Sequence, residues 1–211
     1  MTLMDKLERK LPFLNFPNLN LYMVIIFLIA TIIEVFNPVF YFAYLSLNID
    51  LILKGEIWRL ITFIFYPITS SRMLFLSLLM IYVYYSITRT LILMWGNFKF
   101  NLYLFIGYVS QILAAFLLYF VFHEQIIFVP VYTTFSIIMA FALSFPDAHF
   151  LLYFIIPIKA KYFAYFEIAL YAIAFLGANL ADRVAIICGA LNVFIFFVLL
   201  KNKIWGYIWI F

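Results

Sequence analysis

Six apolar runs, each near the roughly 20 residues a helix needs to cross a bilayer, take up almost the whole of this 211-residue chain. They cover residues 21–36, 73–87, 100–122, 126–145, 162–177 and 184–200. Inside lipid no water is at hand to satisfy backbone N–H and C=O groups, so only helices and closed barrels span it. The runs are too long for barrel strands and lack strict alternation, which leaves helix. Composition agrees: 69% of residues are hydrophobic and 10% are charged, whereas soluble domains are about half apolar and about a quarter charged. A water-soluble fold is excluded, and no stretch is left over for a separate globular module.

The remaining features fit a bilayer better than any polyanion. Twenty-eight Phe and sixteen Tyr suit hydrocarbon and headgroup respectively. The net charge of +4 comes from scattered basic residues, not from a patch that tracks phosphates, so no nucleic-acid partner is expected. The lone Cys188 permits no internal disulfide, and no His or acidic cluster has metal-ligand spacing. Neither a metal nor another cofactor is implied. Lys6, Arg9 and Lys10 precede the first apolar run in the order of a signal peptide. That run ends at Glu34 and Asn37-Pro38 without a small-residue cleavage site, so it reads as the first span.

With the amino terminus inside, nine basic residues lie on the cytoplasmic side (Lys6, Arg9, Lys10, Arg89, Lys99, Lys159, Lys161, Lys201, Lys203) and four outside (Lys54, Arg59, Arg72, Arg183). This bias favours both termini inside. The organisation expected is an amphipathic cytoplasmic segment 1–20, a membrane domain 21–200 and a short cytoplasmic tail 201–211. The first loop, 37–72, is long and rich in Phe, Tyr, Leu and Ile. It is expected to lie against the outer leaflet, with short interfacial helices around 38–53.

Three segments, in order, carry a resemblance. Gly55-Glu56-Ile57-Trp58-Arg59-Leu60-Ile61-Thr62-Phe63-Ile64-Phe65 lies in the first loop, Trp95-Gly96-Asn97-Phe98-Lys99-Phe100 joins the second run to the third, and Phe145-Pro146-Asp147 leads to Ile156-Pro157-Ile158-Lys159-Ala160-Lys161. Together with six runs they make the chain resemble the rhomboid superfamily over about residues 21–200. The resemblance implies an all-α, six-helix membrane bundle with a membrane-associated first loop. On this reading the Trp58-Arg59 pair pins that loop to the bundle, where its plain alternative is an interfacial anchor with a snorkelling guanidinium.

Rhomboid proteases use a Ser in Gly-x-Ser-Gly on helix four and a His on helix six, aided by oxyanion donors near helix two. A hydroxyl is a weak nucleophile until a base takes its proton, and the developing oxyanion needs fixed donors. Here the corresponding stretch, Pro130-Val131-Tyr132-Thr133-Thr134-Phe135-Ser136, has no Gly, and Val131 or Tyr132 falls at the nucleophile position. Ala185-Ile186-Ile187-Cys188-Gly189-Ala190 places Ile186 where the His belongs, and Ser77 falls near the oxyanion Asn. Nucleophile motif, base and donor act as a unit, so no residue of the chain is assigned a catalytic role. Ser136, Ala140 and Ser144, with Ala185 and Gly189, form small-residue patterns, from which helices four and six are expected to pack closely with the former dyad cleft filled by apolar side chains.

The carboxylates inside the spans, Glu34 and Glu167, are functional candidates by position, although snorkelling for Glu34 and a packing hydrogen bond or a hydrated carboxyl for Glu167 are the plainer readings. The leading expectation is a catalytically inactive rhomboid-like protein, similar to the pseudoproteases and Derlins, that binds transmembrane helices of client proteins. The first loop around Trp58 and Arg59 and the lipid side of helices two and five are its expected surface. Two alternatives are an active protease using Ser136 or Thr134 with Glu167, and a small-molecule transporter subunit, which predicts a polar cavity at the midplane. Richness in Ile, Phe, Lys and Asn looks bacterial and points to the cytoplasmic membrane.

Overall fold

A computed structural model describes residues 3–67, 74–123, 127–152 and 156–208. Helix α1, Leu3–Lys10, is amphipathic: Met4 is buried and Leu7 leans on the core, while Lys6, Glu8, Arg9 and Lys10 are exposed. Asn101 holds the chain after it, its side-chain amide donating to the carbonyls of Leu14 at 2.7 Å and Phe16 at 2.8 Å. Helix α2, Leu19–Phe36, follows. The first loop then folds through a tight π turn at Tyr41–Leu45, strand β1 at Leu47–Asn48, and the short helices α3, Ile49–Leu53, and α4, Arg59–Thr62. Asn48 starts α3 by accepting from the Leu51 amide at 3.3 Å, which satisfies an amide that has no partner inside the helix.

Helices α5, Leu74–Trp95, and α6, Asn97–Phe122, are joined through Gly96 alone, whose φ of +84° is a conformation that few other residues adopt. After β2, Ile127–Phe128, come α7, Val131–Ser144, a hairpin of β3, His149–Leu152, and β4, Ile156–Lys159, then α8, Ala160–Gly177, and α9, Leu180–Ile208. Among the described residues four helices, α2, α5, α6 and α8, are long and apolar enough to cross a membrane.

The expected run 126–145 is a shorter helix than its composition suggests. Ile127 and Phe128 pair antiparallel with Asn48 and Leu47 of the first loop, and α7 begins only after Pro130. Proline lacks the N–H that an earlier helical turn would need, so it sits at a helix start. The 14 residues of α7 span about 21 Å. The second expected run, 73–87, extends instead to Trp95, and the sixth, 184–200, becomes a helix from Leu180 to Ile208 that takes in most of the expected tail 201–211. Two small strand pairs thus join an otherwise helical architecture, both in connections. In the hairpin, Asp147 receives Lys159 at 3.2 Å and Lys161 at 3.4 Å, and these hydrogen bonds hold its carboxyl below the usual range.

α7 packs along α9 and α8, α6 along α9, and α2 along α5. The expected contact between the helices of Ser136 and Gly189 is present. A β-carbon added at Gly189 would stand 3.1 Å from Tyr132 Cβ and 3.2 Å from the Tyr132 carbonyl oxygen. Gly107 on α6 is tighter still, with Asn192 Nδ2 of α9 and Thr133 Cγ2 of α7 each 2.7 Å from where its β-carbon would lie. Gly177, by contrast, faces open space. Gly107→Val is therefore expected to cost about 1–3 kcal/mol through forced separation of three helices, and Gly177→Ala to leave stability unchanged. Unfolding titrations in mixed detergent micelles measure both.

Candidate functional site

The first loop is built around one buried cation. Arg59 is 1% exposed. Its Nε donates to Glu56 Oε2 at 2.7 Å, Nη1 to the Ser46 carbonyl at 3.1 Å, and Nη2 to the Ala43 carbonyl. A planar fork of donors suits this convergence of one carboxylate and two carbonyls. Around it Thr62 Oγ1 donates to the Leu45 carbonyl at 3.2 Å, Trp58 Nε1 to the Tyr44 carbonyl at 3.3 Å, and Tyr41 Oη to the Phe63 carbonyl at 2.9 Å. Burial raises the Tyr41 phenol far above its ordinary range, so this donor keeps its proton. Arg59 thus ties the two limbs of the loop together from inside, whereas the half-exposed Trp58 ring remains at the surface. Tyr66 and Pro67, at the end of the loop, share a small crevice with Val131, Thr134 and Phe135 at the start of α7.

The residues at the expected dyad positions come together on α7 and α9. Ser136 and Ile186 line one groove, together with Gly189, and Tyr132 packs on Gly189 and meets the Tyr171 ring edge-on at 5.6 Å. Ser136 Oγ accepts from Tyr103 Oη at 2.7 Å and gives its own proton to the Thr133 carbonyl at 2.7 Å. Thr134 likewise donates to the Pro130 carbonyl at 3.1 Å. A backbone carbonyl is no base, so neither hydroxyl is activated. His123 caps the end of α6 and His149 opens β3, with the whole of α7 between them in the chain.

The expectation that the cleft would be filled needs correction. α8 and α9 both rest on α7 but touch each other little. They leave an open-sided groove of about 690 Å³ whose polar lining residues are Ser136 and Tyr171, the rest being apolar side chains such as Met139, Leu143, Ile168 and Phe194. Small residues close the α7–α9 seam, but α8 brings Ile168, Phe175 and Leu176 to the groove wall, so the seam does not extend to it.

Glu167 lies on α8 beside this groove, only 7% exposed and outside its lining. The Tyr171 hydroxyl, one turn on, is a hydrogen-bond donor to its carboxyl, and Tyr103 is near enough to interact with it as well. Glu34, at the far end of α2, is half-buried and faces Tyr66 of the first loop, and it is not among the residues that line the groove. Ser77 is fully buried on α5. Gln111, Thr133 and Asn192 form a further set of buried polar residues with unpartnered atoms on α6, α7 and α9. An amide inside an apolar run was their available signal for Gln111 and Asn192. Among the described residues no three His, Cys, Asp or Glu side chains gather as a metal site would require.

Arg59→Met is expected to destabilise the protein by about 2–4 kcal/mol, since it strands two carbonyls and a part-buried carboxylate. Arg59→Lys should recover only part of this, because an ammonium lacks the fork. Thermal unfolding in detergent measures both. Comparison with protein-family models, curated proteins and solved structures finds no match for this chain.

Proposed function

We propose that this chain is a catalytically inactive rhomboid-like protein of six spans, with both termini inside a bacterial cytoplasmic membrane, and that it binds transmembrane segments of other membrane proteins. The groove between α7, α8 and α9 carries this reading. A water-filled catalytic cleft needs polar walls and a base, whereas an apolar, open-sided groove matches the side chains of a helix in lipid. Ile186 in place of a base and the intrahelical bond of Ser136 support the inactive assignment. α7 and α9 supply the fifth and sixth spans of this reading, the brevity of α7 being matched by the first-loop strand pair above it. Burial of Arg59 within its own loop moves the proposed client surface away from the Trp58-Arg59 pair and onto the groove.

Photocrosslinking residues placed at Leu143 and Ile168, in native membranes, are expected to give adducts with membrane proteins above the level seen from Leu113, which faces outward on α6. Equal yields from all three positions would contradict the reading. A serine-directed fluorophosphonate is expected to leave the protein unlabelled. Labelling abolished by Ser136→Ala would instead establish a protease.

A further inference from the structure

The segment ahead of α2 is fixed in place by the bundle. Asn101, the fifth residue of α6, holds the carbonyls of Leu14 and Phe16. This stretch therefore stands about 6 Å along the α6 axis from its start, beside the first residues of α2. Both helices are long and apolar enough to cross a membrane. α1 and the residues after it sit where two such helices leave the hydrocarbon, at the level of lipid headgroups.

α1 has two faces. Met4, Leu7 and Leu11 pack on the core. Lys6, Arg9 and Lys10, spaced as i, i+3 and i+4, share another side, and all three are exposed. Among the described residues none of these three side chains has an ion-pair partner. Of the acids on α1, Glu8 accepts from Asn15 Nδ2 at 3.2 Å, and Asp5 is part-buried with a partner of its own. Phe13, 63% exposed, and Phe16, 39% exposed, follow directly.

More basic residues belong to this end. Gly107 of α6 meets Asn192 of α9, and the Ser110 carbonyl, one turn on, lies 3.9 Å from Cys188 Sγ, so the two helices run antiparallel. The last turns of α9, which carry Lys201 and Lys203 in the sequence, thus run toward the start of α6, and α1 packs on α9.

We propose that this end of the bundle is a binding site for anionic phospholipid, with Lys6, Arg9 and Lys10 holding the headgroup and Phe13 and Phe16 lying in the acyl boundary. A basic face accompanied by exposed aromatic rings is the pattern of a segment that rests in the interface. A polyanion in water would meet the cations but leave both rings wet. Phosphatidylcholine has a phosphate but no net charge, whereas each Lys or Arg near an anionic surface strengthens attraction about fivefold. Because Asn101 fixes the segment, its backbone need not be ordered on binding as that of a loose tail would. None of these residues lines the groove between α7, α8 and α9, so the site is separate from the proposed client site.

The test immobilises the full chain in neutral detergent and supplies equal amounts of phosphatidylglycerol and phosphatidylcholine with the same acyl chains. Lipid retained after washing is quantified by mass spectrometry. Phosphatidylglycerol is expected to dominate. Arg9→Gln with Lys10→Gln should lower that preference about 5- to 25-fold, while Lys54→Gln with Arg89→Gln, which removes two exposed cations elsewhere, should leave it unchanged. Circular dichroism reports that each variant is folded. In the unaltered protein the preference should shrink as sodium chloride rises, and inorganic phosphate should do no more than chloride at the same ionic strength. Equal retention of both lipids, an equal loss from the two double substitutions, or a preference indifferent to salt overturns the inference. Displacement by inorganic phosphate beyond its ionic strength overturns it too, since the cations would then be a site for free phosphate.

Discussion

Lipid tails are as apolar as leucine, so a membrane helix gains little by turning a leucine from lipid toward another helix. What holds the bundle is close approach, where backbone meets backbone and dispersion contacts are dense. Gly107 and Gly189 are where this happens. Gly107 admits Thr133 of α7 and Asn192 of α9 into contact with α6, and Gly189 admits the backbone of Tyr132. The α6–α7–α9 core is thereby fixed, and the elements around it take their places from it. β2 is held at the head of α7, β1 pairs with β2, and the first loop is brought over the bundle and closed on Arg59.

α8 is the exception to close packing. Only 17% of its apolar window is buried. Large aromatic and aliphatic side chains such as Tyr165, Phe166 and Ile173 cover its outer surface, and with Ile168, Phe175 and Leu176 in the groove wall the two helices diverge above α7. Ser136 and Ile186 line this divergence, and Tyr132 packs on Gly189 beside it. The Ser136 hydroxyl is engaged in an intrahelical hydrogen bond.

The positions of most helices were legible because hydrophobic length is a local property of the chain. The head of α7 was not. Ile126 to Val129 are as apolar as the helix that follows, and only Pro130 and the pairing of Ile127 and Phe128 with a strand eighty residues earlier end the helix there. The Trp58-Arg59 motif marked Arg59 as a tie, but between the loop and the bundle, whereas its partners Glu56, Ser46 and Ala43 all belong to its own loop. Glu167 was legible from its position inside a span. The groove itself was not, since it depends on where helices diverge, a relation between α8 and α9 that neither segment encodes alone. The unpartnered amides of Gln111 and Asn192 were likewise visible as polar residues in apolar runs, but the meeting of Asn192 with Thr133 beside Gly107 requires the packed bundle.

Whether the groove is a lipid-side receptacle or an aqueous cleft decides between a binding protein and an enzyme. Spin labels attached at Ala190 and Ile168, in protein whose native cysteine is replaced by Cys188→Ala, report this through collision with molecular oxygen, which concentrates in lipid, and with a nickel chelate, which stays in water. Both sites are expected to show high oxygen and low nickel accessibility, matching a label at the outward-facing Leu113. Nickel accessibility at the level of a water-exposed position would contradict the account.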